Sequence, residues 1–112
     1  MTNPAKKKGD RAELEIAGIL TDQLGVRIRR KLGAGRSDDT GDLDGLTQTV
    51  AQVKNFKDIT RGLNEALNQL PAQQANAGAT FAVAFIRRPG NRWAAVMTVE
   101  QFCTLWREAT SG

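Results

Sequence analysis

From Asp10 to Leu24 the apolar residues Ile16, Ala17, Leu20 and Leu24 return at helical spacing between polar neighbours, which predicts an amphipathic helix. At about 100° per residue, Glu13 falls in the middle of the apolar face, while Glu15 and Asp22 fall opposite. A carboxylate on a buried face is costly without a partner. Glu13 therefore calls for a core-facing Lys or Arg, or for another group that binds it.

Val26 to Leu32 alternates as a strand does, with Val26, Ile28 and Leu32 on one side and Arg27, Arg29 and Lys31 on the other. Three like charges on one face suit either a solvated edge strand protected by charge or a surface that meets phosphates. The stretch Gly33 to Gly41 is rich in Gly and small polar residues and predicts a loop. It lacks the Gly-Lys-Ser/Thr ending of a Walker A loop, although its glycines and Arg36 would let backbone come close to a phosphate.

Segments 42–46 and 49–54 predict two short strands forming a hairpin around Thr47 and Gln48. Val50, Gln52 and Lys54 would share one face of the second strand, with Ala51 and Val53 on the other. Asp58 and Thr60 are candidate caps for a helix over 61–70, whose stripe is Leu63, Ala66, Leu67 and Leu70. Pro71 then predicts a kink or a second short helix ending near Gly78. Thr80 to Ile86 is almost continuously apolar, as in a central strand covered on both faces, and Pro89-Gly90-Asn91 turns it into a second strand over 93–97. Thr98 and Gln101 form a capping box for a last helix that would offer Val99, Phe102, Cys103 and Trp106 to the core.

The expected order is α-β-β-β-α-β-β-α. It describes an α/β domain with a small central mixed sheet of about five strands flanked by helices. The 112 residues suit one domain. Residues 1–8, with Lys6, Lys7 and Lys8, read as a flexible basic leader or as a phosphate-binding arm.

Composition narrows the chemistry. The chain has no His and no Tyr, one Cys (Cys103), and only Ser37 and Ser111 as serines. That excludes Ser-His-Asp triads, His- or Cys-based zinc centres, an internal disulfide and a tyrosine nucleophile. A hydrolase built from this alphabet would activate water with a metal. Sixteen basic residues stand against twelve acidic ones, and the balance is uneven. Residues 1–31 are basic and residues 32–60 acidic, as for a metal site that also accepts a polyanion, or for an ordinary solvated surface. The chain has no apolar run of the roughly 20 residues that span a bilayer, and Met1 to Asp10 lacks the apolar segment of a secretory signal. A cytoplasmic protein with no membrane partner is expected.

The run Gly41-Asp42-Leu43-Asp44-Gly45, followed by Gln52-Val53-Lys54, brings a carboxylate, an amide and an amine onto adjacent predicted strands. The trio is poorly suited to an apolar core, but could hold a hard cation and place a Lys beside a phosphodiester.

Between Lys8 and Lys54 the chain resembles the PD-(D/E)XK nuclease superfamily, and within it the small Holliday junction resolvase-like proteins of archaea and phages. Lys8-Gly9-Asp10-Arg11-Ala12-Glu13 is similar to that family's opening Lys-Gly-x-x-x-Glu, Arg30 to Gly35 through Gly41-Asp42 to its basic strand, Gly-x-Gly loop and metal-binding Asp, and Gln52-Val53-Lys54 to its (D/E)-x-K. Gln52 stands where an acid is usual, as in Mrr-type restriction nucleases.

The resemblance implies a restriction-endonuclease-like fold and a homodimer that cuts branched DNA, in the host cytoplasm if phage-encoded. Mg²⁺, replaceable by Mn²⁺, would be held by Asp42, Gln52 and Glu13, with Lys54 completing the catalytic set. Asp44 competes with Asp42, and Asp39 does so more weakly. Lys8, Arg27, Arg29, Lys31 and Arg36 are the candidate phosphate contacts. An Mrr-like or repair-type duplex nuclease and a non-catalytic DNA-binding module are the alternatives.

Overall fold

The computed structural model describes residues 4–31 and 39–111. The element order is α1 (Pro4–Leu24), β1 (Arg29–Arg30), β2 (Leu43–Asp44), β3 (Thr49–Lys54), α2 (Ile59–Ala77), β4 (Phe81–Arg88), β5 (Arg92–Val96) and α3 (Val99–Thr110). This is an α/β protein with the expected succession of elements, but the five strands among the described residues form two sheets. β1 and β2 pair antiparallel, while β3 pairs parallel with β4, and β4 antiparallel with β5.

The expected hairpin between 42–46 and 49–54 is accordingly corrected. β2 lies beside β3, but the Asp42 N–H to Ala51 carbonyl bond of 2.8 Å is followed by a side-chain contact, with the Asp42 carboxylate accepting from Val53 N–H at 2.8 Å. A carboxylate has taken the place of the next backbone carbonyl, so no peptide ladder forms between the two.

Apolar layers cover both faces of the three-stranded sheet. Ile16 and Ala17 of α1 pack with Ile28, Leu43, Ala51 and Phe85 on one face. Ala66 and Leu70 of α2 pack with Val50, Ala82 and Ala84 on the other. The predicted alternation in β3 is therefore observed, with Ala51 and Val53 toward α1 and Val50 toward α2.

The helices differ from expectation in three respects. α1 begins at Pro4, so residues 4–8 of the expected leader belong to a helix, while residues 1–3 lie outside the described residues; proline suits a first turn, where its missing N–H costs no hydrogen bond. α2 runs unbroken through the exposed Pro71, from its Asp58 cap, which accepts from Arg61 N–H, to the left-handed Gly78. α3 does not offer its apolar residues to the core: none of its residues is buried, and Val99, Phe102 and Trp106 are 75%, 53% and 61% exposed. Thr98 caps α3 as expected, but the Gln101 side chain spans outward, accepting from Ala82 N–H and donating to Gln74 of α2. Those bonds, more than apolar burial, attach the helix.

Candidate functional site

Two glycines place Asp42. Gly41 (φ +96°) approaches β3 so closely that a Cβ would stand 3.0 Å from Ala51 O. Gly45 (φ +112°) lies against the residues leading into β1, where a Cβ would fall 2.3 Å from Arg27 O. Only glycine combines this backbone conformation with this contact. The segment between them is held at both sides, and the Asp42 carboxylate is turned onto the end of β3.

Glu13 reaches the same place from α1. A cleft of about 540 Å³ is lined by Glu13, Asp42 and Lys54, together with Lys8, Gly9, Val53, Phe56, Lys57, Asp58 and Arg61. It opens at the C-terminal end of β3, where the strand hands over to α2. In open α/β sheets, strand C-termini are the usual position for ligands. The cleft thus brings together three of the four residues expected to be catalytic.

The electrostatics follow from this crowding. Burial first, and then the neighbouring Asp42 charge, push the Glu13 carboxyl up to about 7, against the opposing effect of Arg30. Burial also raises Asp42 above the ordinary carboxylate range, opposed by the Val53 N–H and by Lys54. Lys54 is held by Glu65 at 3.3 Å and Gln69 at 3.0 Å, and lies over the Phe56 ring, whose other cationic neighbour is Arg61.

Gln52, the fourth expected catalytic residue, does not line the cleft. It is 1% exposed, and its amide nitrogen donates to Gln69 and Gln73 of α2. Its carbonyl oxygen is buried and has no hydrogen-bond partner among the described residues. An orphaned buried oxygen next in sequence to the Asp42-bound Val53 is the feature a hard cation would explain. The available donors are two carboxylates and a neutral amide oxygen, an all-oxygen set that suits Mg²⁺ or Mn²⁺. Among the described residues no three acidic, His or Cys side chains cluster for a metal. A metal held by the expected residues would therefore need Gln52 as its neutral member.

The expected phosphate contacts divide. Lys8 lines the cleft, whereas Arg27 and Arg29 are exposed on the β1 segment away from it. Lys31 is turned inward, where its ammonium donates to the Thr40 carbonyl and hydroxyl and pairs with Asp44 at 3.6 Å. It pins the 40–44 segment, and its ammonium is engaged by Thr40 and Asp44. Asp44 is engaged by that bond, and Asp39 accepts from Gln73 and Gly41 N–H. Arg36 and the Gly33–Gly35 turn lie outside the described residues.

Several residues escape the sequence reading. Arg30 sits on the Ile28 face of its strand and pairs with Glu13 at 3.4 Å and Asp10 at 3.3 Å. It is the core-facing cation that Glu13 called for, and its even-numbered position beside Ile28 is the available signal. Lys57 and Arg61 join Lys8 at the cleft, and Arg11 and Arg87 line an adjoining hollow that shares Lys8. Glu15, expected on the solvent side, accepts from Trp93 Nε1 at 2.8 Å and from Arg87 at 3.3 Å. The α2 residues Glu65, Gln69 and Gln73 form a polar stripe whose i, i+4, i+8 spacing is legible in the sequence beside the apolar stripe.

Comparison of the chain with protein-family models, with curated proteins and with solved structures finds no match in any of the three.

Proposed function

We propose that the protein is a metal-dependent DNA endonuclease of restriction-endonuclease-like fold, selective for branched DNA such as four-way junctions. The observation that carries this reading is the meeting of Glu13, Asp42 and Lys54 in one cleft with Lys8, Lys57 and Arg61. Glu13 and Asp42, with the Gln52 carbonyl oxygen, are the residues that would hold Mg²⁺ or Mn²⁺. When bound, such an ion supplies Lewis acidity and an activated water.

The chain's own groups have distinct parts. Asp42 is oriented by Val53 N–H. Lys54, fixed by Glu65 and Gln69, places a positive charge where a phosphoryl oxygen gains negative charge during hydrolysis. Lys8, Lys57 and Arg61 offer the flanking phosphates cationic partners without reading sequence. Cutting two opposed strands of a junction is most simply done by two sites related by a twofold axis, so the active form is a homodimer.

Incubation with a four-way junction and a matched linear duplex in Mg²⁺ tests the reading, with Asp42→Ala alongside. Paired nicks on the junction alone are expected, lost in the variant by about 10³-fold or more. Equal cleavage of both substrates would favour a duplex nuclease. The Arg30 pair on Glu13 specifically favours a second reading, a non-catalytic DNA-binding module. Binding without cleavage in Mg²⁺ and in Mn²⁺ would establish that second reading.

A further inference from the structure

The amide of Gln52 belongs to a chain of side chains running along α2. Lys54 and Glu65 stand at one end and Asp39 at the other. Lys54 is a pure donor, so Gln69 must turn its oxygen to it, at 3.0 Å, and its nitrogen to the Glu65 carboxylate, at 3.4 Å. Ionised Asp39 is a pure acceptor, so Gln73 must give it the amide nitrogen, at 2.6 Å. Both glutamines consequently present carbonyl oxygens to Gln52, and both receive its nitrogen. The Gln52 oxygen is left buried without a partner among the described residues.

We infer that Gln69 and Gln73 are positioning residues whose polarity, set by Lys54, Glu65 and Asp39, orients Gln52 with its nitrogen toward α2 and selects Gln over Glu at position 52. A glutamate there would aim a carboxylate at two carbonyl oxygens, with no donor to meet it. The acid usual in the resembled motif is thus incompatible with this α2. That the unpartnered oxygen serves a cation rests on the proposed function; the polarity of the chain does not.

The chain can be reversed at its Asp39 end. In Asp39→Asn the remaining oxygen keeps its bond from Gly41 N–H, now made by Asp39 Oδ1 at 3.0 Å, and the new NH₂ falls where Oδ2 accepts from Gln73. Gln73 must then turn over and point its nitrogen at residue 52. That orientation is wrong for the native glutamine and right for a glutamate at the same position.

A double-mutant cycle in thermal unfolding reads this out. Gln52→Glu and Asp39→Asn are each expected to lower Tm by about 5 °C or more, and the double variant to lie well above the sum of the two losses. Additive losses would overturn the inference. Side-chain amide hydrogen exchange of the unmodified protein gives a second measurement should Gln52→Glu fail to fold. Slow exchange of the Gln52 and Gln73 NH₂ groups is expected, and exchange as fast as that of exposed Gln23 would overturn it. Calorimetric titration of the unmodified protein with Mg²⁺ addresses the functional reading alone. Strong coupling in the cycle without Mg²⁺ binding would leave the polarity intact and sink the metal site.

Discussion

Glu13 shows how one residue can satisfy two readings at once. Its place on an apolar helical face demands a partner, and Arg30 supplies one. The ion pair does not relieve the site fully, since burial and Asp42 still hold the carboxyl at about 7. Between the ordinary value of 4.5 and about 7 the folded chain keeps a proton that the unfolded chain releases. Stability therefore falls as pH rises through that window and levels off above it. Denaturant unfolding between pH 5 and pH 8 should show this decline, on the order of 2 kcal/mol, and Glu13→Gln should flatten it. Parallel profiles for the two proteins would mean that burial does not govern this carboxyl. Arg30 escapes a reading that follows only the odd-numbered basic residues, although its even-numbered place beside the apolar Ile28 is the signal that it turns inward.

At the scale of elements, β2 is a two-residue strand whose value lies in its placement. Gly41 and Gly45 press it between β3 and β1, and the Asp42 carboxylate then replaces a ladder bond. Gly45→Ala combines a left-handed backbone with a clash against a carbonyl. It should cost about 3 kcal/mol or more, measured as a lowered urea midpoint at unchanged slope. A loss within about 0.5 kcal/mol, the range of an ordinary surface substitution, would show that β2 moves freely away from β1. The sequence marks this run as special through its alternation of Gly and Asp, yet predicts an ordinary hairpin. Hydrogen bonds between side chain and backbone are not encoded in strand periodicity. α2 teaches a related lesson. Its apolar stripe is legible, whereas the polar stripe acquires meaning only once β3 is laid against it.

For the whole molecule, the principal departure is α3. Its apolar periodicity correctly predicts a helix but assigns the apolar face to the core. Val99, Phe102 and Trp106 instead face outward, with Phe102 and Trp106 in ring contact. An exposed apolar face of this kind is the natural surface for the proposed twofold dimer. Sedimentation velocity at tens of micromolar should give a dimer, and Trp106→Glu should shift it to monomer with the fold intact by circular dichroism. A monomeric unmodified protein would remove the dimer from the functional reading. Among the described residues no helix is long and apolar enough to cross a membrane, so the face is not part of a membrane-spanning helix.

The sequence by itself determined the number, type and order of the elements, because apolar periodicity, capping residues and turn glycines act locally. It also singled out Glu13, by its place on an apolar helical face, and Asp42, Gln52 and Lys54, as a polar trio poorly suited to an apolar core. Only the tertiary structure decided which cation meets Glu13, how Asp42 closes β2 onto β3, and that Gln52 turns its nitrogen to α2. Each of those outcomes joins residues from different elements, and their choice of partner depends on distances that no local pattern carries.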